Sequence, residues 1–461
     1  MLMHHPTANG TDPRLSFWLR VREFAVPPSM IETATDRRLA GDWFGACAAA
    51  GFDADIDLRA LTRRHGRDVT AQVLADLRHL APDLLRWHLP RVAPDGLLRP
   101  GLTVALARYG PADHRKPCGG SASVHLVART APAWADAGQR IVLTLWDGSD
   151  FAHHNHPHPR PNRRYRLDLH RHLWDARRVS DLRIRCGTGK LPAIAAFGQA
   201  LAEAVPKGCA VDRWAAEADI LLRADGQRDG PVRVRCGGRS DLVVESVGAG
   251  NGADSAALWL VDDYPRGRLA ALPVLPDAAT WVLPDLELIR SGAITAERLH
   301  PLVAAALDPG WSPPAPSRTS DRENRIHLVD CRGERHRIGL VDGALTALDH
   351  DPAEIRREEL LVALGGTPLP CLQAIDRVHR SPDCLPGVRE RLDHGDAAGA
   401  LAVVEGLLGR GAVLREGPLL DELRASADRL GTYDRFLSAP VETPPVWRPR
   451  RRGRSRRTVS R

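Results

Sequence analysis

Histidines are concentrated in one segment of this sequence. Six of the 19 histidines fall between residues 153 and 172. The segment ends in RYRLDLHRHLW, whose alternation predicts a strand over 164–174, and alternate residues of a strand share a face. Imidazoles and carboxylates are ligands for zinc, iron or manganese. The segment is therefore a candidate divalent metal site, with two ligands from a loop and three from the strand: His154, His156, Asp168, His170 and His172.

The same pattern also fits an ordinary surface. Loops that alternate His and Pro are common on protein surfaces, and the polar face of a strand is usually solvated. Leu167, Leu169 and Leu173 would then supply the buried face of the strand. The histidines alternate with other residues, but they show none of the ligand spacings that distinguish zinc sites.

Other catalytic motifs are incomplete. Gly189-Lys190 is followed by Leu191, where a phosphate-binding loop needs Ser or Thr, so an ordinary turn is expected at 187–190. The glycines of 248–252 lack the dinucleotide-binding order and indicate a loop. No G-x-S-x-G sequence occurs. Asp349-His350-Asp351 resembles a catalytic group. However, Asp351 with Pro352 and Glu354 after it has the pattern of a helix N-cap, which leaves only a lone Asp-His pair. The sequence therefore identifies no catalytic residue, and no organic cofactor is expected.

The eight cysteines include no C-x-x-C pair. This spacing argues against a zinc ribbon and against a thioredoxin-like redox pair. The first residues lack the apolar segment of a secretory signal, so a disulfide framework is not expected either. We expect reduced and mostly buried cysteines.

The positive charge belongs to one end of the chain. The formal net charge is +7, and Arg448–Arg461 contains eight arginines and no acid, so the other 447 residues carry −1. An arginine-rich segment binds polyanions electrostatically, but no aromatic residue lies within it to stack on bases. With only three lysines against 61 arginines, the composition is typical of a GC-rich bacterial genome.

Hydrophobic periodicity predicts an α+β multidomain fold. A helical N-terminal region, with Leu39 and Trp43 on one face of a helix, is followed by a mixed, strand-rich middle, with alternating runs at 102–110, 123–130 and 140–148 and a helix over 191–205. A C-terminal hairpin and a helical module come last, and in this module a stripe that includes Leu401 is expected to be buried. We expect the module to fold as a separate unit. A Pro/Ser-rich segment separates the last two regions. The predicted divisions are disorder over 1–14, helices over 15–100, the mixed region over 101–307, a linker over 308–324, the C-terminal module over 325–437 and a disordered arginine-rich tail over 438–461.

Two segments of the chain resemble each other. Residues 38–48 read RLAGDWFGACA and residues 391–402 read RLDHGDAAGALA. In both, a Gly can end one helix, an Asp can cap the next, and small residues let the two helices approach. These segments resemble the turn between the paired helices of tetratricopeptide repeats, although no 34-residue period connects them. The resemblance implies isolated helical hairpins, which either pack internally or present a groove to a partner.

Three functions remain open at this point. The absence of a complete catalytic motif favours a non-catalytic interaction or accessory protein, with another protein as its partner. The second hypothesis is a metal-dependent enzyme, such as a hydrolase, built on the histidines of 153–172. The third is a nucleic-acid-associated protein that uses its arginine-rich tail. No apolar run is long enough for a membrane span, and we expect a soluble cytoplasmic protein.

Overall fold

The structure is a computed structural model. It describes residues 12–110, 123–136, 138–148, 156–186, 205–237, 241–247, 257–261, 263–308, 310–312, 327–341, 344–380, 384–409 and 413–438. Several predictions lie outside these residues: the turn at 187–190, most of a helix predicted at 191–205, the loop at 248–252, most of the linker, His154 and the arginine-rich tail.

The described strands form small separate sheets. Their bounds are β1 Phe52–Asp55, β2 Arg91–Val92, β3 Leu97–Leu98, β4 Thr103–Tyr109, β5 Val124–Thr130, β6 Ile141–Trp146, β7 Gly230–Arg235, β8 Asp241–Val247, β9 Ala257–Leu260, β10 His327–Cys331, β11 Glu334–Val341 and β12 Ala344–Ala347. The strand orders are β1-β6-β5-β4, β2-β3, β7-β8-β9 and β10-β11-β12. The β1–β6 pair is parallel, and the other named pairs are antiparallel.

Helices occur along the whole described chain. Their bounds are α1 Pro13–Arg20, α2 Pro28–Leu39, α3 Trp43–Ala49, α4 Leu58–His79, α5 Pro82–His88, α6 Leu182–Arg185, α7 Trp214–Ala224, α8 Asp277–Thr280, α9 Pro284–Arg290, α10 Pro301–Leu307, α11 Pro352–Ala363, α12 Pro370–Arg380, α13 Leu385–Asp393, α14 Ala397–Leu408 and α15 Pro418–Ser438. The architecture is the α+β multidomain fold that the sequence predicts.

The largest core lies between the four-stranded sheet and the N-terminal helices. The strands predicted from the alternating runs at 102–146 form β4, β5 and β6, and Leu106, Leu126 and Leu143 are fully buried there. Leu77 and Leu84 of the helices pack into the same core. A second, smaller core forms where α7 packs on the β7-β8-β9 sheet.

The N-terminal helices differ from the prediction in two places. Asp12 caps α1, so this helix begins within the segment predicted to be disordered. Leu39 and Trp43 were predicted on one face of a single helix, but Gly41 (φ +78°) separates α2 from α3. Leu39 is accordingly 72% exposed. The apolar spacing of about 3.6 residues runs on across this turn because both helices have small or apolar residues next to it. The sequence pattern therefore did not reveal the break.

The caps predicted for the two similar segments are confirmed. Asp42 accepts a hydrogen bond from the Gly45 backbone N–H (2.8 Å), and Asp396 accepts one from Gly399 (2.8 Å). In each case a Gly with positive φ ends the preceding helix. A Cβ on the capped glycine would lie 2.0 Å from the carboxylate oxygen, so a larger residue there would require the capping side chain to move. Both segments are therefore tight helical hairpins.

The C-terminal module has the predicted hairpin and a core of its own. β10 and β11 pair across Arg332 and Gly333, which both have positive φ, as a two-residue type I′ turn requires. Ile338, Val388 and Val404 are buried in the core that the helices form against this sheet. The helix start predicted at Asp351 is confirmed, because its side chain accepts from the Ala353 N–H (2.8 Å).

One side of α14 was assigned wrongly. A stripe that included Leu401 was predicted to be buried, but Leu401 is 50% exposed. The inward residues are Ala400, Val404 and Leu408, which are spaced by four and lie on one helix face.

A buried arginine joins this module to the main core. Arg86, on α5, is 1% exposed. Its guanidinium donates to the carbonyl oxygens of Ala25 (3.0 Å), Gln139 (2.7 Å), Ala50 (3.4 Å) and His394 (2.7 Å). Burial lowers its pKa to about 10, so the group remains charged at neutral pH. The His394 carbonyl belongs to the α13–α14 turn, and this bond therefore crosses between the module and the main core.

The last helix makes a second contact of this kind. The Tyr433 hydroxyl donates to Asp53 of β1 (2.7 Å), and Phe436 meets Trp134 edge-on with ring centroids 5.4 Å apart. The module is thus docked on the main core at two places. Its independent folding stays a prediction. Among the described residues, we find no helix with the length and apolarity needed to cross a membrane.

We expect Arg86→Met to destabilise the protein by at least about 3 kcal/mol, because several buried carbonyls would lose their only charged donor. Urea unfolding measures this cost. Arg67→Met, at an exposed position of α4, serves as the control and should change stability by no more than about 0.5 kcal/mol. Equal midpoints for the two variants would contradict the role of Arg86.

A matched pair on α14 tests the orientation of that helix. Val404→Asp should unfold the C-terminal module, because an unpaired carboxylate in the core costs several kcal/mol. Leu401→Asp, three residues away, should be tolerated, since its side chain is half exposed. Thermal unfolding and resistance to limited proteolysis distinguish the variants. If both variants lose stability to a similar degree, the helix has the orientation predicted from the sequence, with Leu401 buried.

Candidate metal centre

The β10–β11 hairpin brings the first two candidate ligands together. Cys331 is the last residue of β10 and pairs with Glu334, while His336 pairs with Val329. Directly paired residues and those two positions along share a face of an antiparallel sheet. Cys331 and His336 are therefore diagonal neighbours on one face of the hairpin.

Two segments after the hairpin add the other ligands. His350 lies in the turn between β12 and α11, directly before the N-cap Asp351. Hydrogen bonds from the Arg337 backbone N–H and guanidinium to Asp349 hold this turn against β11 (2.6–3.1 Å). Cys371 is the second residue of α12, where the positive end of the helix dipole favours a thiolate.

The four side chains converge. One ligand atom from each of Cys331, His336, His350 and Cys371 lies within 4.8 Å of all the others. His336 Nδ1 and His350 Nε2 are 2.7 Å apart. A tetrahedral zinc with bonds of about 2.0–2.3 Å holds its ligand atoms about 3.3–3.8 Å apart, so small side-chain movements suffice to enclose the ion. Two thiols and two imidazoles are the ligand set of many structural zinc sites.

Side chains around the ligands orient them. His350 Nδ1 faces the Glu354 carboxylate at 3.3 Å, which directs Nε2 towards the other ligands. A carboxylate on the second nitrogen of a ligating histidine fixes its tautomer and raises its basicity. The Arg332 guanidinium, in the hairpin turn, donates to the carboxylates of Glu354 (2.6 Å) and Glu358 (2.8 Å), which lie on successive turns of α11. These ion pairs join the helix to the hairpin beside the site.

The surroundings of the site are dry. Both cysteines are fully buried, and the side chains of His336 and His350 are 14% and 4% exposed. Ala347, Leu369 and part of Ile355 enclose the thiols. Burial, with the adjoining Cys331 thiol, raises the pKa of Cys371 to about 12. A divalent cation between the two sulfurs would reverse this preference, because metal binding displaces the thiol protons.

The histidine segment predicted as a metal site has a different structure. The strand prediction for 164–174 is wrong: the chain forms two 3₁₀ turns, Leu167–Leu169 and Arg171–Leu173. Alternation therefore does not place Asp168, His170 and His172 on one face. The turns form because the chain bends over the buried side chains of Leu167 and Trp174, whose indole N–H donates to the Leu167 carbonyl (3.0 Å).

His156 and Asp168, two members of that cluster, have protein partners. His156 donates from Nε2 to the Thr130 carbonyl (3.0 Å), and its Nδ1 accepts from the His158 backbone N–H (3.2 Å). Burial lowers its pKa to about 4, so the ring is neutral. Asp168 is paired with the Arg166 guanidinium at 2.8–3.2 Å. These contacts occupy the groups that were candidates for metal ligation.

His170 and His172 are buried side by side, with ring centroids 5.8 Å apart. Both nitrogens of His170 face oxygen acceptors, the Arg166 carbonyl and Glu217 (3.0 Å each). Burial alone would raise the pKa of Glu217, but hydrogen bonds from His170 and Arg185 lower it. Burial, with His170 as neighbour, lowers the pKa of His172. His154 lies outside the described residues, and a metal role for this cluster stays a prediction.

Sequence reasoning missed the site at Cys331 because it searched for paired cysteines. The spacing Cys-X4-His-X13-His-X20-Cys contains no C-x-x-C. One signal was present: the hairpin and the α11 cap were both predicted, and Cys331 and His350 lie at their ends. Only the tertiary arrangement shows that these ends meet Cys371.

Free cysteines are indeed mostly buried among those described.

Searches against models of known protein families, curated proteins and solved structures find no significant match to this chain.

Proposed function

We propose that this chain is a zinc-stabilised interaction protein with no catalysis at its metal site. The observation that carries the proposal is the convergence of Cys331, His336, His350 and Cys371. Four protein ligands complete the tetrahedral coordination of zinc. Catalytic zinc sites keep one position for water or substrate and so use three protein ligands. A closed and buried set of four fits a structural ion.

The ion would add a link between segments that have few apolar contacts of their own. The three-stranded sheet and α11 contribute few buried residues, and α11 buries none. A structural zinc contributes its binding free energy to folding, about 10–16 kcal/mol in zinc-finger peptides at neutral pH. This contribution would offset the small core around the hairpin.

An apolar surface beside the site supports the interaction role. The C-terminal end of α11 exposes Leu360 (62%), Leu361 (52%), Val362 and Leu364 (86%). Exposed apolar side chains that cluster in this way are typical of protein–protein contact sites. We propose another protein with an apolar face as the partner. No contact of the described histidines of 153–172 favours the enzyme hypothesis, and the arginine-rich tail of the nucleic-acid hypothesis lies outside the described residues.

Metal analysis tests the zinc site. Full-length protein purified without a histidine tag should contain about one zinc per chain, because the described residues contain one four-ligand cluster of this kind. Cys331→Ser with Cys371→Ser should remove the metal and lower the melting temperature. Co²⁺-exchanged protein should show thiolate-to-cobalt charge transfer and the visible bands of a tetrahedral site, and the double variant should show neither.

Two control variants separate this site from the alternatives. Cys47→Ser removes a buried thiol of the main core and should leave zinc content unchanged. His170→Gln with His172→Gln should also leave it unchanged. If the histidine variant loses the metal and the cysteine variant keeps it, the ion is bound in the segment that the sequence predicted. Metal-free wild-type protein, insensitive to chelator, would refute both sites.

Site-specific photo-crosslinking in cells tests the interaction surface. A photoreactive residue at Leu361 or Leu364 should form a discrete covalent adduct with one partner protein, whereas the same residue at Glu359, exposed on another side of α11, should not. Leu360→Glu should abolish the adduct from position 364, because a charge would enter the apolar contact. Adducts of equal yield from all three positions would indicate random collision and contradict a defined interface.

A further inference from the structure

The main core contains a cavity of about 760 Å³ far from the metal ligands in sequence. Its walls come from α1, α5, the segment 164–167 and the residues that follow α8. Cavities of about 300–1,000 Å³ are the size that small-molecule ligands occupy. The candidate metal ligands of the C-terminal module do not line this cavity, so a ligand site here does not depend on the proposed function.

Aromatic rings form much of the cavity wall. Trp18 lies between Phe17 (ring centroids 4.8 Å apart, edge-on) and Trp87 (5.6 Å, tilted). Tyr165 and Trp281 line the cavity on other elements, and the Arg14 guanidinium covers the Trp281 ring at 5.0 Å. Rings set on four separate segments offer flat apolar faces to a planar group.

The charge of the lining is unbalanced. Six arginines line the cavity against one acid, Asp277. Four of them meet carboxylates: Arg14, Arg20, Arg164 and Arg166. Within the described residues, no ion pair forms at Arg91 or Arg99. Arg91 instead donates to the backbone carbonyls of Gly96 (2.8 Å) and Arg86 (2.7 Å), so its charge is not neutralised.

Buried polar atoms in the wall lack partners. Trp18 Nε1, His88 Nε2 and Arg91 Nε are buried and form no hydrogen bond within the part of the chain that the structure describes. The His88 side chain is 3% exposed, and its Nε2 is 3.8 Å from Asp285, beyond hydrogen-bond distance. Burial lowers the pKa of His88 to about 4, so the ring is neutral. Such groups cost free energy unless something satisfies them.

We propose that this cavity binds a planar aromatic anion. The ring of the ligand packs against the aromatic side chains of the wall, and its carboxylate, sulfonate or phosphate group lies against Arg91 and Arg99. Aromatic lining alone would accept any apolar molecule, and the two arginines without carboxylate partners are what select an anion.

A pair of fluorescent probes tests the proposal with the full-length protein. Anilinonaphthalene sulfonate is a planar aromatic anion, and N-phenylnaphthylamine is its analogue without the sulfonate. The sulfonate should bind at one site per chain, more tightly than the amine, and its affinity should fall as salt is added. Arg99→Gln, at an exposed position of the cavity rim, should weaken sulfonate binding about tenfold and leave amine binding unchanged. Trp18→Leu should weaken both probes.

Two control variants locate the probe. Arg67→Gln makes the same charge change on α4, outside the cavity, and should not alter either affinity. Leu361→Glu changes the exposed apolar surface of α11 and should leave the sulfonate site intact. If Arg99→Gln has no effect, or the two probes bind equally well, charge does not select the ligand and the proposal is wrong. If Leu361→Glu removes binding while Trp18→Leu does not, the probe binds at α11 and the proposal is equally overturned.

Discussion

The arrangement of the main core and the C-terminal module depends on the guanidinium of Arg86. A fully buried cation normally meets a carboxylate, but here its hydrogen bonds go to backbone carbonyls. Ala25, Ala50 and His394 end or follow helical segments, so their carbonyls lie at the negative ends of helix dipoles. One charge therefore satisfies acceptors from three helices, and each helix end must come within about 3 Å of the same side chain.

This constraint explains the glycines on either side of the contact. Gly395 has φ +84°, and a Cβ there would lie 1.9 Å from the Gly138 carbonyl oxygen. Only glycine lets the α13–α14 turn approach closely enough for the His394 carbonyl to reach Arg86. The carbonyl of Arg86 accepts in turn from Arg91, which lines the proposed ligand cavity. Module docking and the cavity wall are thus neighbours in one hydrogen-bond network.

Local interactions were predictable from the sequence, and long-range ones were not. The caps at Asp42, Asp351 and Asp396 involve residues two or three positions apart. The apolar residues of β4 to β6 themselves indicate that these strands are buried. By contrast, residues 164–174 alternate in polarity but turn over Trp174, whose partner carbonyl no pattern reveals. The metal ligands illustrate the same limit. Asp351 as a cap and His350 as a candidate ligand are compatible, yet explaining the first removed the reason to consider the second.

The two attachments of the module act on different helices, and the candidate metal site is linked to one of them through α12. Its first turn carries Cys371 at the metal site, and further along Ile375 enters the module core. α12 also packs against α15, whose Tyr433 and Phe436 contact the main core. An ion at Cys371 would therefore fix the start of α12, which packs against the helix that makes the second docking contact. The hydrogen bond from Arg86, by contrast, reaches the turn between α13 and α14 directly. Metal binding would accordingly order the hairpin, α11 and α12 while the junction at Arg86 persists without it, because no ligand lies on the two helices that Arg86 joins.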